Sequence, residues 1–514
     1  MGRRVAAIDV GTNAIRFYSV EVDGDSVARV LAEERFAVRL GHGVFADRRI
    51  DRAASAEAMD ALAHASARMR ELGIEEYRAV ATSAIRESSS RREFVRSVKR
   101  RSGITLEVIS GSEEIRLVHA AVRERIDLGQ DTWALVELGG GSAEIALVTS
   151  SRVLWSETHA MGAVRLFELF APGARESPQF LELLSEYVDT IRIPQKIRET
   201  TIRGFIATGG NIEVLARIAA NGRRDSVENR DPGPSRLALT ALRSVTRQLA
   251  RLSVEDRMRD FELRGDRADV VVPAAAVYSR FADLLGASEI LVPGGGIRDG
   301  IILGLAEKSV TRRTKDEEGL IEGAVALGRK YSFDEGHALH VARLARQLFD
   351  QLVPLHKLGS RERRMLVAAA ILHDIGEYVS LKGHHKHTLY LISRSELTGF
   401  TSAEQFIVAN VARYHRKGAP SLQHPEFALL SAADRSRVRR LASLLRIADA
   451  LDKEHREKLS KITVRQTEGR VEILAGGNGE LLLEKWALEK KADLFRRTFG
   501  APVLLISEEP DTDD

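Results

Sequence analysis

The sequence contains no cysteine. That absence excludes disulfides, iron–sulfur ligation, thiolate zinc sites and a cysteine nucleophile, and it leaves any metal to histidine, aspartate and glutamate. An excess of one charge is also missing: 77 Lys and Arg stand against 73 Asp and Glu, a formal +4 on 514 residues. So small a surplus does not suit a dedicated nucleic-acid coat. No stretch approaches the roughly 20 consecutive apolar residues that span a bilayer. The opening Met1-Gly2-Arg3-Arg4 runs straight into the strand-like Val5–Ile8, without the apolar segment and cleavage site of a signal peptide. The expectations are a cytoplasmic location, no membrane partner and no specific nucleic-acid binding.

What is present is the composition of an ordinary folded chain, 44% hydrophobic and 29% charged, long enough for about three domains with cores of their own. Up to about residue 305, short β-branched runs alternate with Ala/Leu/Arg-rich helical segments, the pattern of an α/β protein with mixed sheets. The strand candidates are Val5–Ile8, Ala79–Ala81, Leu106–Ile109, Trp133–Leu138, Ile145–Val148, Gly204–Ala207 and Glu289–Val292. Residues 221–234 read as a surface loop, and the charged run from Glu307 to Gly319 reads as a domain boundary. Beyond it the pattern is helical, with long stretches at Ala338–Leu352, Arg361–Leu372 and Arg439–Leu451. The end of the chain changes again: a hairpin from Lys461–Arg465 and Val471–Leu474, a helix near Leu483–Phe499, a strand at Val503–Ile506 and an acidic tail from Glu508.

Three glycine-bearing turns each follow an apolar strand: Ile8-Asp9-Val10-Gly11-Thr12-Asn13, Val136-Glu137-Leu138-Gly139-Gly140-Gly141-Ser142 and Ile206-Ala207-Thr208-Gly209-Gly210-Asn211. Glycine lets the backbone approach a bound group and aim several N–H groups into one concavity, which suits an anion such as phosphate. Asp9 and Glu137 stand just before their turns, where a carboxylate can hold Mg²⁺ that in turn neutralises phosphate oxygens. Recurrence of this strand and turn about 130 residues later, with an acid in the corresponding place, suggests two related domains facing each other across a cleft.

Further blocks occur in a fixed order: Thr82-Ser83-Ala84-Ile85-Arg86-Glu87, Val108-Ile109-Ser110-Gly111-Ser112-Glu113-Glu114, Gly139–Glu144, Met161-Gly162-Ala163-Val164-Arg165 and Gly295–Gly300. With Ile8–Arg16, they resemble the exopolyphosphatase and guanosine pentaphosphate phosphohydrolase (Ppx/GppA) family over nearly the whole chain. The resemblance implies two actin-like (ASKHA, ribonuclease H-like) domains, residues 1–127 and 128–306, followed by a mostly helical HD-type domain, 318–458, and a small α+β end domain, 459–508. It implies Mg²⁺-dependent release of orthophosphate from the ends of inorganic polyphosphate, or the same reaction on pppGpp, by a homodimer. Glu114 matches the family's catalytic glutamate, which positions the attacking water. The phosphates fall to Gly11, Thr12, Asn13, Arg16, Ser83, Arg86, Gly139, Gly140, Gly141, Ser142, Glu144, Gly209 and Gly210, with Asp9 and Glu137 at the metal. Two departures bear on activity: the family usually has Asp where this chain has Glu137, and often Thr where it has Ala143.

Most of the 14 histidines lie between His337 and His455. His337, the pair His373-Asp374, and Asp449 resemble the HD metal-dependent phosphohydrolase signature, which implies a second divalent ion, Mn²⁺, Fe²⁺, Zn²⁺ or Mg²⁺. His337, Val341, Leu344 and Leu348 share one helical face, which turns the imidazole inward. His384, His385 and His387, with His415, are further ligands or a phosphate-binding basic surface. Two other readings stay open at this point: a polyphosphate or alarmone sensor with little catalysis in the cleft, and an enzyme whose main centre is the HD-type domain.

Overall fold

The apolar run Val5–Ile8 lies within a strand, Arg3–Val10 (β1), that is buried on both faces from Val5 onward, as a central strand between two helical layers must be. The computed structural model describes residues 2–24, 26–170, 178–221, 233–306, 309–395, 397, 399–416, 418–467, 469–477 and 481–507. The chain divides into two units, residues 1–312 and 313–514.

In the first unit β1 is joined by Ile15–Asp23 (β2), Ser26–Phe36 (β3), Glu76–Ala81 (β4) and Leu106–Val108 (β5), in the order β3-β2-β1-β4-β5. A second sheet contains Trp133–Leu138 (β6), Ala143–Val148 (β7), Val153–His159 (β8), Phe205–Thr208 (β9), Ser235–Ala238 (β10) and Glu289–Val292 (β11), in the order β10-β11-β9-β6-β7-β8. Strands β1, β2 and β3 form an antiparallel meander, and β4 and β5 extend it with parallel pairing. Strands β6, β7, β8, β9 and β11 repeat that order and those directions, with β10 added antiparallel at the edge. The fold is thus the expected α/β one, a pair of topologically matched sheets of the actin-like type.

All seven strand candidates form, while β2, β3, β8 and β10 are additional. Strand β3 carries Arg29, Glu33, Glu34 and Arg35 on a half-exposed sheet edge, where charge protects against further pairing and hides the apolar alternation. Two helices lie between the sheets. Leu117, on Gly111–Arg125, packs with Ile301 and Ile302, on Ile297–Ala306, against Val5 and Ala7 of β1. Ile115, Val118 and Val122 of the former helix cover Leu135, Ala146 and Ile206 of the second sheet.

The two units divide between residues 312 and 313, inside the charged run read as a boundary, and the run is helical from residue 309 on, within Ser309–Lys330. Most of the loop read at 221–234, and the acidic tail from residue 508, lie outside the described residues. In the second unit, helices Glu335–Gln351, Ser360–Leu372, Ser402–Arg413 and Ala432–Ala450 enclose one apolar core. The first starts earlier than its apolar periodicity indicates because the Asp334 carboxylate caps it, accepting the His337 N–H at 3.2 Å. Strand Leu459–Thr467 (β12) pairs antiparallel with Arg470–Gly477 (β13), and Val503–Ser507 (β14) adds parallel to β13. The single helix expected near Leu483–Phe499 is two, Leu482–Lys491 and Asp493–Phe499. Among the described residues no helix is long and apolar enough to cross a membrane.

The closest helix contact in the first unit is at Gly300, where a Cβ would lie 2.0 Å from the Leu117 carbonyl oxygen. Gly300→Ala is expected to destabilise the protein by about 1–3 kcal/mol through overpacking, read as a lower thermal midpoint. An unchanged midpoint would show that the two helices have room to separate at no cost.

Candidate active site

The turns after β1 and β6 meet in the first unit. A Cβ on Gly140 would lie 2.7 Å from Thr12 Cβ, and one on Gly141 would lie 2.5 Å from Ser83 Oγ. Thr12 Oγ1 and Ser83 Oγ are hydrogen-bonded at 3.0 Å. The Gly11 N–H donates to Ala14 O and the Gly139 N–H to Ser142 O, each at 3.0 Å. Both N–H groups are spent in closing their own turns, which corrects the expectation that they hold phosphate. Gly209, at φ +105°, lets β9 end with its Cα against the Leu138 carbonyl, and Gly210 makes room for the Arg267 guanidinium. Close packing therefore accounts for both of these glycines.

Glu114 sits in the first turn of Gly111–Arg125, whose N-terminus Ser110 caps by accepting the Glu113 N–H at 3.3 Å. It is 4% exposed, not a solvated surface acid. Arg86 donates to the Glu114 carboxylate and, at 2.9 Å, to Ile109 O. Its other terminal nitrogen lies 3.5 Å from Ser142 Oγ and 3.7 Å from Glu144 Oε1. The Ser142 hydroxyl donates to Glu144 at 2.6 Å. One guanidinium thus joins Glu114 to the turn after β6. Glu144, expected among the phosphate ligands, is a buried carboxyl group held by that hydroxyl.

Asp9 is buried on β1 and pairs through Oδ2 with Arg16 at 3.1 Å, so the expected phosphate clamp Arg16 is shared with this carboxylate. Asp9 Oδ1 is buried with no hydrogen-bond partner. Burial raises the Asp9 pKa despite Arg16. Glu137 accepts from the Thr208 hydroxyl, and Tyr278 donates to Thr208 O at 2.7 Å. Burial pushes the Glu137 carboxyl up to about 7 against the opposing Thr208 bond, and the charge of Glu114 adds to the rise. Arg267 and Glu213 were not legible as site residues. Burial brings the Arg267 guanidinium down to about 10, and the nearby charges of Arg16, Arg264 and Arg35 act in the same direction.

In the second unit all four metal candidates converge. His337 Nε2 and His373 Nε2 each lie 4.0 Å from Asp449 Oδ1, and His373 Nε2 lies 3.3 Å from Asp374 Oδ2. His384 and His415 join them, each with Nε2 3.2 Å from Asp374 Oδ1. His385 and His387 do not belong to either candidate group. Lys491 pairs with Asp449 Oδ2. Burial would raise the Asp449 pKa, but the Lys491 ammonium, with His373 and His415, holds it well below the usual carboxylate range. His337 Nδ1–H donates to Asp452 at 2.7 Å. Asp452 and Lys491 carried no motif, and only the fold brings them here.

The Ppx/GppA phosphatase family profile matches residues 20–309, and the profile for domain III of that family matches residues 322–493. The guanosine-5'-triphosphate,3'-diphosphate pyrophosphatase of Aeromonas hydrophila is 25% identical over 448 residues, 86% of each chain. An exopolyphosphatase from Cytophaga hutchinsonii aligns with TM-score 0.55 and 23% identity, over 59% of this chain and 98% of that one. A crystal structure described as an exopolyphosphatase-like protein aligns with TM-score 0.53 and 26% identity, over 59% and 98% of the two chains.

The raised Glu137 pKa has a consequence for stability. The folded protein keeps a proton that the unfolded chain releases above its ordinary value of 4.5, so this contribution is lost as pH rises from about 4.5 to about 7. With divalent ions chelated, Glu137→Gln is expected to flatten the urea-denaturation profile across that window, by up to about 3 kcal/mol. Parallel profiles for the two proteins would show that Glu137 ionises normally.

Proposed function

The chain belongs to the Ppx/GppA phosphatase family, and from that premise we propose that it releases orthophosphate from the ends of inorganic polyphosphate at the paired glycine turns of its first unit. The observation that carries the reading is the Arg86 guanidinium, which holds the buried Glu114 carboxylate and reaches Ser142 of the opposite turn. Hydrolysis of a phosphoanhydride needs an in-line water, a group to orient it and take its proton, and donors for the charge on the equatorial oxygens. Glu114 orients the water and accepts its proton. Arg86 holds the Glu114 carboxylate in place and, with the N–H groups beyond Gly140, faces the transferred phosphoryl group. Thr12 and Ser83 line the approach.

Asp9 Oδ1, buried and without a partner, fits a divalent cation, and the proton on Glu137 is one that such a cation would displace. Asp9 and Glu137 would hold Mg²⁺, which when bound supplies neutralisation of phosphate oxygens. The extra methylene of Glu137 over the family's usual Asp is accommodated by its bond to Thr208. Arg16, Arg35, Arg264 and Arg267, close enough to act on one another's charge, suit a polyanion extending beyond its terminal phosphate. The relative from Aeromonas hydrophila favours a second substrate of the same chemistry, guanosine 5'-triphosphate 3'-diphosphate.

Glu114→Gln keeps size and loses charge, and it is expected to lower kcat for orthophosphate release by about 10²–10⁴ with KM little changed. An undiminished kcat would remove Glu114 from the reaction. Turnover on long polyphosphate compared with pppGpp assigns the substrate, and a wild type inactive on both with Mg²⁺ overturns the proposal.

A further inference from the structure

We propose that the solvent face of the helix Arg91–Ser102, in the first unit, is a second polyanion-binding surface, one that captures the body of a long polyphosphate chain while the cleft works on its end. The choice of occupant rests on the polyphosphate hydrolysis proposed above; the surface rests on its own charge and geometry.

This helix carries six basic residues and a single acid, Glu93, in twelve, within a chain whose 77 basic and 73 acidic residues nearly balance. Phe94 and Val98 turn into the core of the first sheet. Arg92, Arg96, Lys99 and Arg100 stand on the opposite face, within an arc of about 100°, and all four are exposed. Arg92, Arg96 and Arg100 make one row, each about 6 Å from the next along the axis. Like charges at that spacing work against the helix. The macrodipole favours Lys99, Arg100 and Arg101 in the last turn but opposes Arg91 and Arg92 in the first. Helix stability therefore does not account for the row.

Several exposed arginines of this unit are neutralised by carboxylates: Arg29 by Glu21, Arg236 by Glu289 and Arg243 by Asp283. On the helix itself Arg101 pairs with Asp60 at 3.2 Å. Arg92, Arg96, Lys99 and Arg100 meet no carboxylate among the described residues, and the bonds they make go to neutral oxygens. Arg96 donates to Arg92 O, Lys99 to Gly103 O and Thr105 Oγ1, and Arg100 to Ser97 Oγ. Four positive charges are thus left for an anion from solution.

The helix begins beside the candidate site. Arg91 donates to the Arg86 carbonyl oxygen at 3.4 Å, and Arg86 is the residue that holds Glu114. The N–H and the hydroxyl of Ser89 both donate to Arg48 O at 2.8 Å, which brings exposed Arg48 to the turn that opens the helix. A row of uncompensated cations starting at a phosphate site fits an anion with many charges in line. Binding there releases counterions from the polyanion, and a chain held at the row offers its end to the cleft at high effective concentration. A short substrate gains nothing from it. Binders of single-stranded nucleic acid add aromatic side chains on which bases stack. The one aromatic of this helix, Phe94, is buried, so the face suits a polyanion without bases.

The test uses the full chain carrying Glu114→Gln, with and without Arg92→Gln, Arg96→Gln and Arg100→Gln together. Calorimetric titration with long-chain polyphosphate over a series of KCl concentrations reads affinity and its salt dependence. The triple change is expected to weaken binding about 10-fold or more and to reduce the slope of log K against log[KCl] by about 2–3, with binding of tripolyphosphate unchanged. Lysine at the same three positions is expected to keep the slope, and a lysine variant as weak as the glutamine one overturns the proposal. With Glu114 intact, the triple change is expected to raise KM for long chains and leave kcat unaltered. Equal slopes before and after the triple change overturn the surface, even where wild type hydrolyses polyphosphate. A wild type that hydrolyses no polyphosphate, with the slopes still different, overturns the proposed reaction and supports the surface. Tighter binding of single-stranded RNA than of polyphosphate with the same number of phosphates, lost in the triple variant, overturns the occupant.

Discussion

The ion pair between Arg86 and Glu114 is the contact around which the first unit's site is arranged. Both side chains are largely withdrawn from water, so each charge has lost hydration that its partner helps to restore, and removing one partner of such a pair typically costs about 3–5 kcal/mol. The Ile109 carbonyl, Ser142 and Glu144 complete the guanidinium's surroundings. This requires β4, which leads to Arg86, the helix that carries Glu114 and the turn after β6 to come together. The geometry of the candidate site is thereby tied to the association of the two sheets.

That association rests on glycines. Gly140 and Gly141 lie where side chains would collide with Thr12, Phe45 and Ser83, and a Cβ on Gly162 would lie 2.2 Å from the Gly141 carbonyl carbon. The matched strand order of the two sheets places equivalent turns at equivalent strand ends, and small residues let those ends touch. What is buried there is polar, Asp9, Glu137 and Glu144, so the interface carries a charge load that burial alone would not sustain. Arg16 pairs with Asp9, while the hydroxyls of Thr208 and Ser142 donate to Glu137 and Glu144.

In the second unit the same problem takes another form. Four imidazoles and Asp449 are withdrawn from water beside the apolar core of the second unit, with Asp374 partly buried among them. The outward nitrogens are satisfied by carbonyls and Asp452, so the unmet demand is concentrated on the inward side. Each unit thus gathers acceptors in excess of protein donors, one mainly carboxylate and the other mainly imidazole.

The sequence by itself determined what local patterning can encode. Apolar runs ending in glycine located β1, β6 and β9, the spacing of His337 with Val341 and Leu344 turned that imidazole inward, and the ordered motif blocks supplied Glu114, Arg86 and the carboxylates. Charged edge strands such as β3 were hidden, because exposure on a sheet edge removes the apolar alternation that marks a strand. Tertiary structure alone decided the partners: Arg267 under Gly210, Thr208 on Glu137, Lys491 on Asp449, and both His384 and His415 on Asp374. It also withdrew the Gly11 and Gly139 N–H groups from ligand binding by closing their turns. The physical reason is range. Periodicity and turn chemistry act over a few residues, whereas the pairing of a buried charge is set by whichever distant segment the packed core brings within about 3 Å.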